Sequence, residues 1–152
     1  MQPLIFDLVK QKKNLERFRT QFIINDFLYE LGAEIILDCT LRSTSRANDL
    51  LLYGYFGQSI KSFCGLVKNV KHGFIIPLPT TNFHDSEEEA LPFAPNSFNL
   101  VCSNLSLHFI NHVPLSFSNY KKILKKGGLF IATIIGNYSL FELREAFNYA
   151  DD

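Results

Sequence analysis

Apolar residues in the first part of the chain recur at intervals of three and four. Leu15, Phe18, Phe22, Ile23 and Phe27 follow that spacing between mostly polar neighbours, which predicts a helical segment from about Asp7 to Leu31. Gly32 is the expected stop. The pattern then changes. Glu34-Ile35-Ile36-Leu37-Asp38 reads as a short buried strand over 34–38 that ends in a carboxylate, and Leu41 to Phe56 as a loop followed by a helix with Leu50, Leu51 and Leu52 in its middle. Between Gly57 and Asp85 the runs Phe63 to Val67 and Phe74 to Ile76 are strand-like, the second ended by Pro77 and Pro79. Ser86-Glu87-Glu88-Glu89 is an acidic loop.

The remainder is more regular. Phe98-Asn99-Leu100-Val101-Cys102-Ser103 is apolar enough to be buried on both faces. A helix follows, with Pro114 in its first turn and Phe117, Tyr120, Ile123 and Leu124 as its apolar stripe. Lys125 and Lys126 suit the negative end of that helix, and Gly127-Gly128 break it. Leu129 to Ile135 is a second continuous apolar strand. Ser139 with Glu142 forms a capping box for a last helix, and Leu140, Leu143 and Phe147 share one face of it. Strands apolar throughout, separated by amphipathic helices, imply an α/β fold: a largely parallel sheet covered on both sides. The segments near 34–38, 98–103 and 129–135 are expected to be neighbours in its middle.

Composition narrows the function classes. Fifteen basic and fifteen acidic residues give a formal net charge of zero, without the basic surplus of a nucleic-acid-binding face. No stretch approaches the roughly 18 apolar residues of a membrane span, and the start lacks the character of a signal or transit peptide. Cys39, Cys64 and Cys102 are scattered and odd in number, which fits a reducing, cytoplasmic setting rather than a disulfide or zinc framework. His108 and His112 are four apart, but Pro114 is close and no third ligand is in sight, so no metal is expected.

Leu91-Pro92-Phe93-Ala94-Pro95-Asn96-Ser97-Phe98-Asn99-Leu100-Val101 resembles the "LPF…SFDLV" signature of the type 11 methyltransferase family, within the class I enzymes that use S-adenosylmethionine. It continues through Ser103-Asn104-Leu105-Ser106-Leu107-His108, and Ile123-Leu124-Lys125-Lys126-Gly127-Gly128-Leu129-Phe130 is similar to the family's "LKPGG" turn. Pro3-Leu4-Ile5-Phe6-Asp7 and Ser139-Leu140-Phe141-Glu142-Leu143-Arg144 resemble one branch, the complex I assembly-factor methyltransferase-like proteins, which lies close to the biotin-synthesis methyltransferases. The resemblance implies a Rossmann-like, three-layer α/β/α methyltransferase fold. It also implies one domain over 1–152, with residues 1–32 an N-terminal helical segment and 33–152 a core that lacks the family's last two strands. The strand at 129–135 would then lie near an open sheet edge, which invites self-association or a protein partner.

The family implies S-adenosylmethionine as cofactor and an unidentified methyl acceptor; the branch implies, alternatively, a catalytically inactive scaffold or respiratory assembly factor. Its cofactor loop should follow the strand at 34–38. There Asp38 holds the acidic position, while Thr40 and Thr44 stand where glycines are expected, and a β-branched residue resists the positive φ that such a loop needs. No acid follows Val67 or Ile76 to hold the ribose hydroxyls. Glu87 occupies the place of the adenine-contacting acid, or is part of a solvated acidic loop. Asn104 and Leu105 follow the strand at 98–103, where a cofactor would pass. His108 is the candidate catalytic base, or a ring packed over the pocket edge.

Overall fold

A computed structural model of the chain describes residues 7, 9, 10, 13, 26–43, 48–57, 59, 61, 63, 72–76, 91, 93–136, 139 and 141–150. Its elements in chain order are helix α1 (Phe27–Ser43), strand β1 (Asp49–Gly54), β2 (His72–Ile76), β3 (Phe98–Asn104), a single 3-10 turn (Leu107–Phe109), α2 (Val113–Ile123), β4 (Leu124–Thr133) and α3 (Phe141–Ala150). The four strands form one sheet in the order β2-β1-β3-β4, and every neighbouring pair is parallel.

The core has two halves, one on each face of the sheet. Ala33 and Ile36 of α1 pack with Leu50, Leu52, Phe56, Phe63, Leu100 and Cys102. On the opposite face Tyr120 and Ile123 of α2 pack with Leu51, Tyr53, Phe98, Val101, Leu107 and Ile110. Alternate residues of β1 and β3 therefore feed opposite layers, as the period of two in a strand requires. The expected α/β/α layering is present, and the segments 98–104 and 124–133 are adjacent parallel strands. Residues 125–128 interrupt the β3–β4 register, so that Phe98 faces Leu124 while Leu100 faces Leu129.

Several local expectations are corrected. Residues 34–38 are not a strand: they lie inside the 17-residue helix α1, which also runs through Gly32. Gly32 is no stop because it faces the sheet, and a Cβ there would overlap the Asn104 side chain. The first strand is Asp49–Gly54, where a helix was expected from Leu50, Leu51 and Leu52. Those three leucines are each no more than 2% exposed, as befits a parallel strand covered on both faces. Lys125 and Lys126 lie in β4 rather than at the end of α2. Lys121 and Lys122 occupy its last turn, and Lys125 pairs with Asp49 at the start of β1.

Phe63, expected in a strand, is helical, as are Ser59 and Lys61; the rest of that run lies outside the described residues. So does most of the helix expected from Asp7, of which Val9, Lys10 and Lys13 are helical. Pro114 stands in the first turn of α2 as expected. The last helix is also present, with Glu142 in its first turn.

Candidate functional site

In this strand order the chain leaves β1 toward β2 on one side and returns to β3 on the other. The carboxyl ends of β1 and β3 are therefore the switch point of the sheet, where open parallel sheets bind ligands. Gly54 closes β1 with φ +107°, and Gly57 follows with φ +49°. Both angles belong to the region that side chains resist. A Cβ on Gly54 would overlap the backbone oxygen of Asn104, so the turn crosses directly over the end of β3. Beyond it Ser59 is already helical. This strand, glycine turn and helix start is the arrangement expected of a cofactor loop, some fifteen residues later than the sequence reading placed it.

Asn104, the last residue of β3, is 0% exposed and ties four segments together. Its Nδ2 donates to the carbonyl of Tyr29 at 2.8 Å and to that of Tyr55 at 2.6 Å. Its Oδ1 accepts from the Thr133 hydroxyl at 2.6 Å. Leu105, with φ +48°, donates its backbone N–H to the Thr133 carbonyl at 3.2 Å and to the Thr133 hydroxyl at 3.3 Å. The side chain of one asparagine thus joins the beginning of α1, the turn after β1 and the end of β4.

The first turn of α1 lies over this junction. The Tyr55 hydroxyl donates to Asp26 at 3.1 Å, and the Ser59 hydroxyl donates to Glu30 at 2.8 Å. The rings of Tyr29 and Tyr55 meet edge to face, 5.8 Å apart. Burial raises the phenol pKa of Tyr55, and the hydrogen bond to Asp26 and the charges of Asp26 and Glu30 add to it. Burial alone raises that of Tyr29. Both phenols stay neutral at any ordinary pH. The space that a Cβ of Gly57 would enter holds the Glu30 carboxylate.

The residues singled out from sequence fall in three places. Asn104 and Leu105 are in the junction itself. Asp38 and Thr40 are not on a loop after a strand but in α1, roughly 12 Å and roughly 15 Å along the helix from Glu30 at about 1.5 Å per residue. Asp38 is exposed and paired with Arg42 one turn on. Thr40 is buried; its hydroxyl donates to the Ile36 carbonyl at 2.8 Å and also reaches the Cys102 thiol, whose pKa burial pushes up to about 12. The helix therefore removes the premise on which Asp38, Thr40 and Thr44 were read as a worn cofactor loop. Thr44 and Glu87 lie outside the described residues.

His108 sits on the 3-10 turn after β3. Its imidazole is half-buried, and that burial lowers its pKa below the ordinary 6.5. His112 precedes α2 as its N-cap, so the two histidines do not share a helix face. Among the described residues no three His, Cys, Asp or Glu side chains are grouped to hold a metal ion. Gly54, Gly57, Asp26, Tyr29, Glu30, Ser59 and Thr133 were missed by the sequence reading. The glycine pair three residues apart, directly after a leucine run, was the available signal.

The glycine turn suits a ligand that needs close backbone approach, and in this structure the Glu30 carboxylate occupies the space at Gly57 that such a ligand would take. Glu30 and a ligand at Gly57 exclude each other, and Pro77 rather than an acid follows β2. The chemistry on offer at the junction is two carboxylates, two neutral phenols and backbone amides.

Residues 65–132 match the protein family described as a methyltransferase domain. Mitochondrial arginine-hydroxylase NDUFAF5 of Mus musculus is 37% identical over 82 residues, which are 54% of this chain and 24% of that protein. Malonyl-[acyl-carrier protein] O-methyltransferase of Nitrosospira multiformis is 44% identical over 64 residues, 42% of this chain and 21% of that protein. The chain thus spans about a quarter or less of these relatives' length. Among solved structures, a Thermotoga maritima S-adenosylmethionine-dependent methyltransferase, described as a possible histamine N-methyltransferase, superposes with a TM-score of 0.54. It has 18% identity and covers 91% of this chain and 68% of its own. A Methanococcus maripaludis protein described as a putative S-adenosylmethionine-dependent methyltransferase gives a TM-score of 0.51 at 16% identity, over 93% and 72% of the two chains. These likenesses show the methyltransferase fold.

Proposed function

We propose, from the match of residues 65–132 to the methyltransferase domain family, that this protein binds S-adenosylmethionine at the β1–β3 switch point and serves methyl transfer to an acceptor still to be identified. One observation carries the reading. Gly54 and Gly57 turn with positive φ at the carboxyl end of β1, beside the neighbouring strand end at Asn104 and Leu105. Methyl transfer from a sulfonium depends on positioning and water exclusion more than on acid–base groups. A buried junction of backbone amides and neutral phenols is consistent with that demand. His108, next along the chain, stays the candidate base if the acceptor must lose a proton.

The second reading is an inactive methyltransferase-like scaffold of the assembly-factor kind. It is favoured by the Glu30 carboxylate against Gly57 and by Pro77 where an acid would hold a ribose. Loss of a paired, charge-assisted hydrogen bond weakens binding by roughly ten- to a hundredfold. Titration calorimetry with S-adenosylmethionine and S-adenosylhomocysteine separates the two. Saturable binding in the micromolar to sub-millimolar range supports the first. No heat at millimolar ligand, in protein with an intact thermal transition, leaves the scaffold.

A further inference from the structure

We propose that Glu30 is a built-in competitor for the ligand: its carboxylate holds the first turn of α1 across the Gly54–Gly57 turn, and a ligand carboxylate must displace it. The inference rests on the cofactor reading above and adds a closed state to it.

Glu30 belongs to α1, not to the sheet, yet its carboxylate fills the space that Gly57 leaves by lacking a side chain. Ser59, 9% exposed, donates its hydroxyl to the same carboxylate at 2.8 Å. A turn of this kind, leading into a helix start, is suited to an anion, and here the anion is supplied by the chain itself. Two further contacts hold the α1 turn in place: Tyr55 to Asp26, and Asn104 to the Tyr29 carbonyl. Neither involves the Glu30 side chain, so removing its carboxylate loosens the closure while leaving these anchors. S-adenosylmethionine and S-adenosylhomocysteine carry a carboxylate on their amino-acid end; 5′-methylthioadenosine has the same thio-linked nucleoside and no carboxylate. Competition for one slot therefore separates the two kinds of ligand. Removing the Glu30 carboxylate relieves the ligand that needs the slot and leaves the other unaffected.

The test uses the full chain as wild type, Glu30→Gln, Glu30→Ala and Ser59→Ala. Binding of S-adenosylhomocysteine and 5′-methylthioadenosine is followed by calorimetry, and hydrogen exchange is followed over α1. Glu30→Gln keeps the shape and loses the charge, which guards against a variant that fails to fold. The expected result is tighter S-adenosylhomocysteine binding in both Glu30 variants, by roughly ten- to a hundredfold, the affinity equivalent of one charge-assisted hydrogen bond. Affinity for 5′-methylthioadenosine is unchanged. Exchange rises at the amides of Leu31 to Ile35 and stays constant in β1 and β3, and Ser59→Ala shifts in the same direction by less. S-adenosylhomocysteine affinity equal to or weaker than wild type in both Glu30 variants, with 5′-methylthioadenosine still bound, overturns the competitor and leaves the cofactor reading intact. Binding of neither ligand to any of the four proteins overturns both.

Discussion

Asn104 is the residue on which the junction depends most. A buried side-chain amide that satisfies two backbone carbonyls cannot be removed without leaving both desolvated and unpaired, at about 1–3 kcal/mol for each group. Asn104→Ala is expected to destabilise the protein by about 2–6 kcal/mol, read as a lower denaturant midpoint. Thr133→Val removes the hydroxyl that donates to Asn104 and accepts from the Leu105 N–H, but Leu105 keeps the Thr133 carbonyl, so the change should cost about 1 kcal/mol. Equal losses for the two would show that the amide is not the common tie. His108 gives a pH signature of opposite origin. Burial holds its folded pKa below the unfolded value near 6.5, so the unfolded chain takes up a proton first as pH falls. The contribution is fully present above pH 6.5 and is lost as pH drops from there through the lower folded value. His108→Gln should flatten the stability profile in that window and leave it unchanged at pH 8. A profile that keeps its slope in the variant would assign the titration elsewhere.

At the scale of elements, α1 shows how a helix can disguise itself. The residues it buries are Gly32, Ala33, Ile36 and Thr40, spaced by threes and fours but mostly small. Its outward residues include Phe27, Leu28, Leu31 and Ile35, all more than 40% exposed. The inner face was chosen for close approach to β3 and β4, against which the helix packs. The apolar run within it then looked like a strand, because a short apolar run has no period of its own. The error placed the expected cofactor loop at Thr40 and Thr44, while the glycine turn after β1 fell across the end of an expected helix at Phe56 and the start of the next run at Gly57. By contrast the strand at 98–104, the helix at 113–123 and the 129–133 part of β4 were legible. There β3 is buried almost throughout, β4 is half-buried beyond its two glycines, and Tyr120 and Ile123 of the helix stripe face the sheet. The contacts of Glu30 were beyond reach, since no local pattern reports what a helix turn meets across a sheet. Gly32 tests this account. In an exposed helix, Gly→Ala gains about 1 kcal/mol from propensity. Here the new Cβ meets the hydrogen-bonded Asn104 side chain, and overpacking costs about 1–3 kcal/mol. Gly32→Ala should therefore destabilise rather than stabilise; a raised melting temperature would refute the close approach.

At the scale of the whole molecule, β4 is the strand edge at which pairing with another chain is expected. Among the described residues it pairs with β3 on one side only. Residues just beyond it stay open, with Ile134 62% and Ile135 48% exposed. The helix that follows is also uncovered by the described residues: Phe141, Phe147 and Tyr149 are 44%, 63% and 82% exposed. An unpaired strand edge next to exposed apolar side chains is a template for another strand. Self-association that grows with concentration is therefore expected in light scattering of the isolated chain. The two surfaces are separable. Ile134→Lys with Ile135→Lys places charge at the strand's end, a device by which edges resist pairing, whereas Phe147→Glu alters only the α3 face. Association through the edge predicts that the double lysine variant shifts toward monomer at unchanged thermal stability while Phe147→Glu stays near wild type. The reverse order assigns contact to the helix. A wild-type chain that stays monomeric at high concentration removes the edge from the protein's interactions altogether.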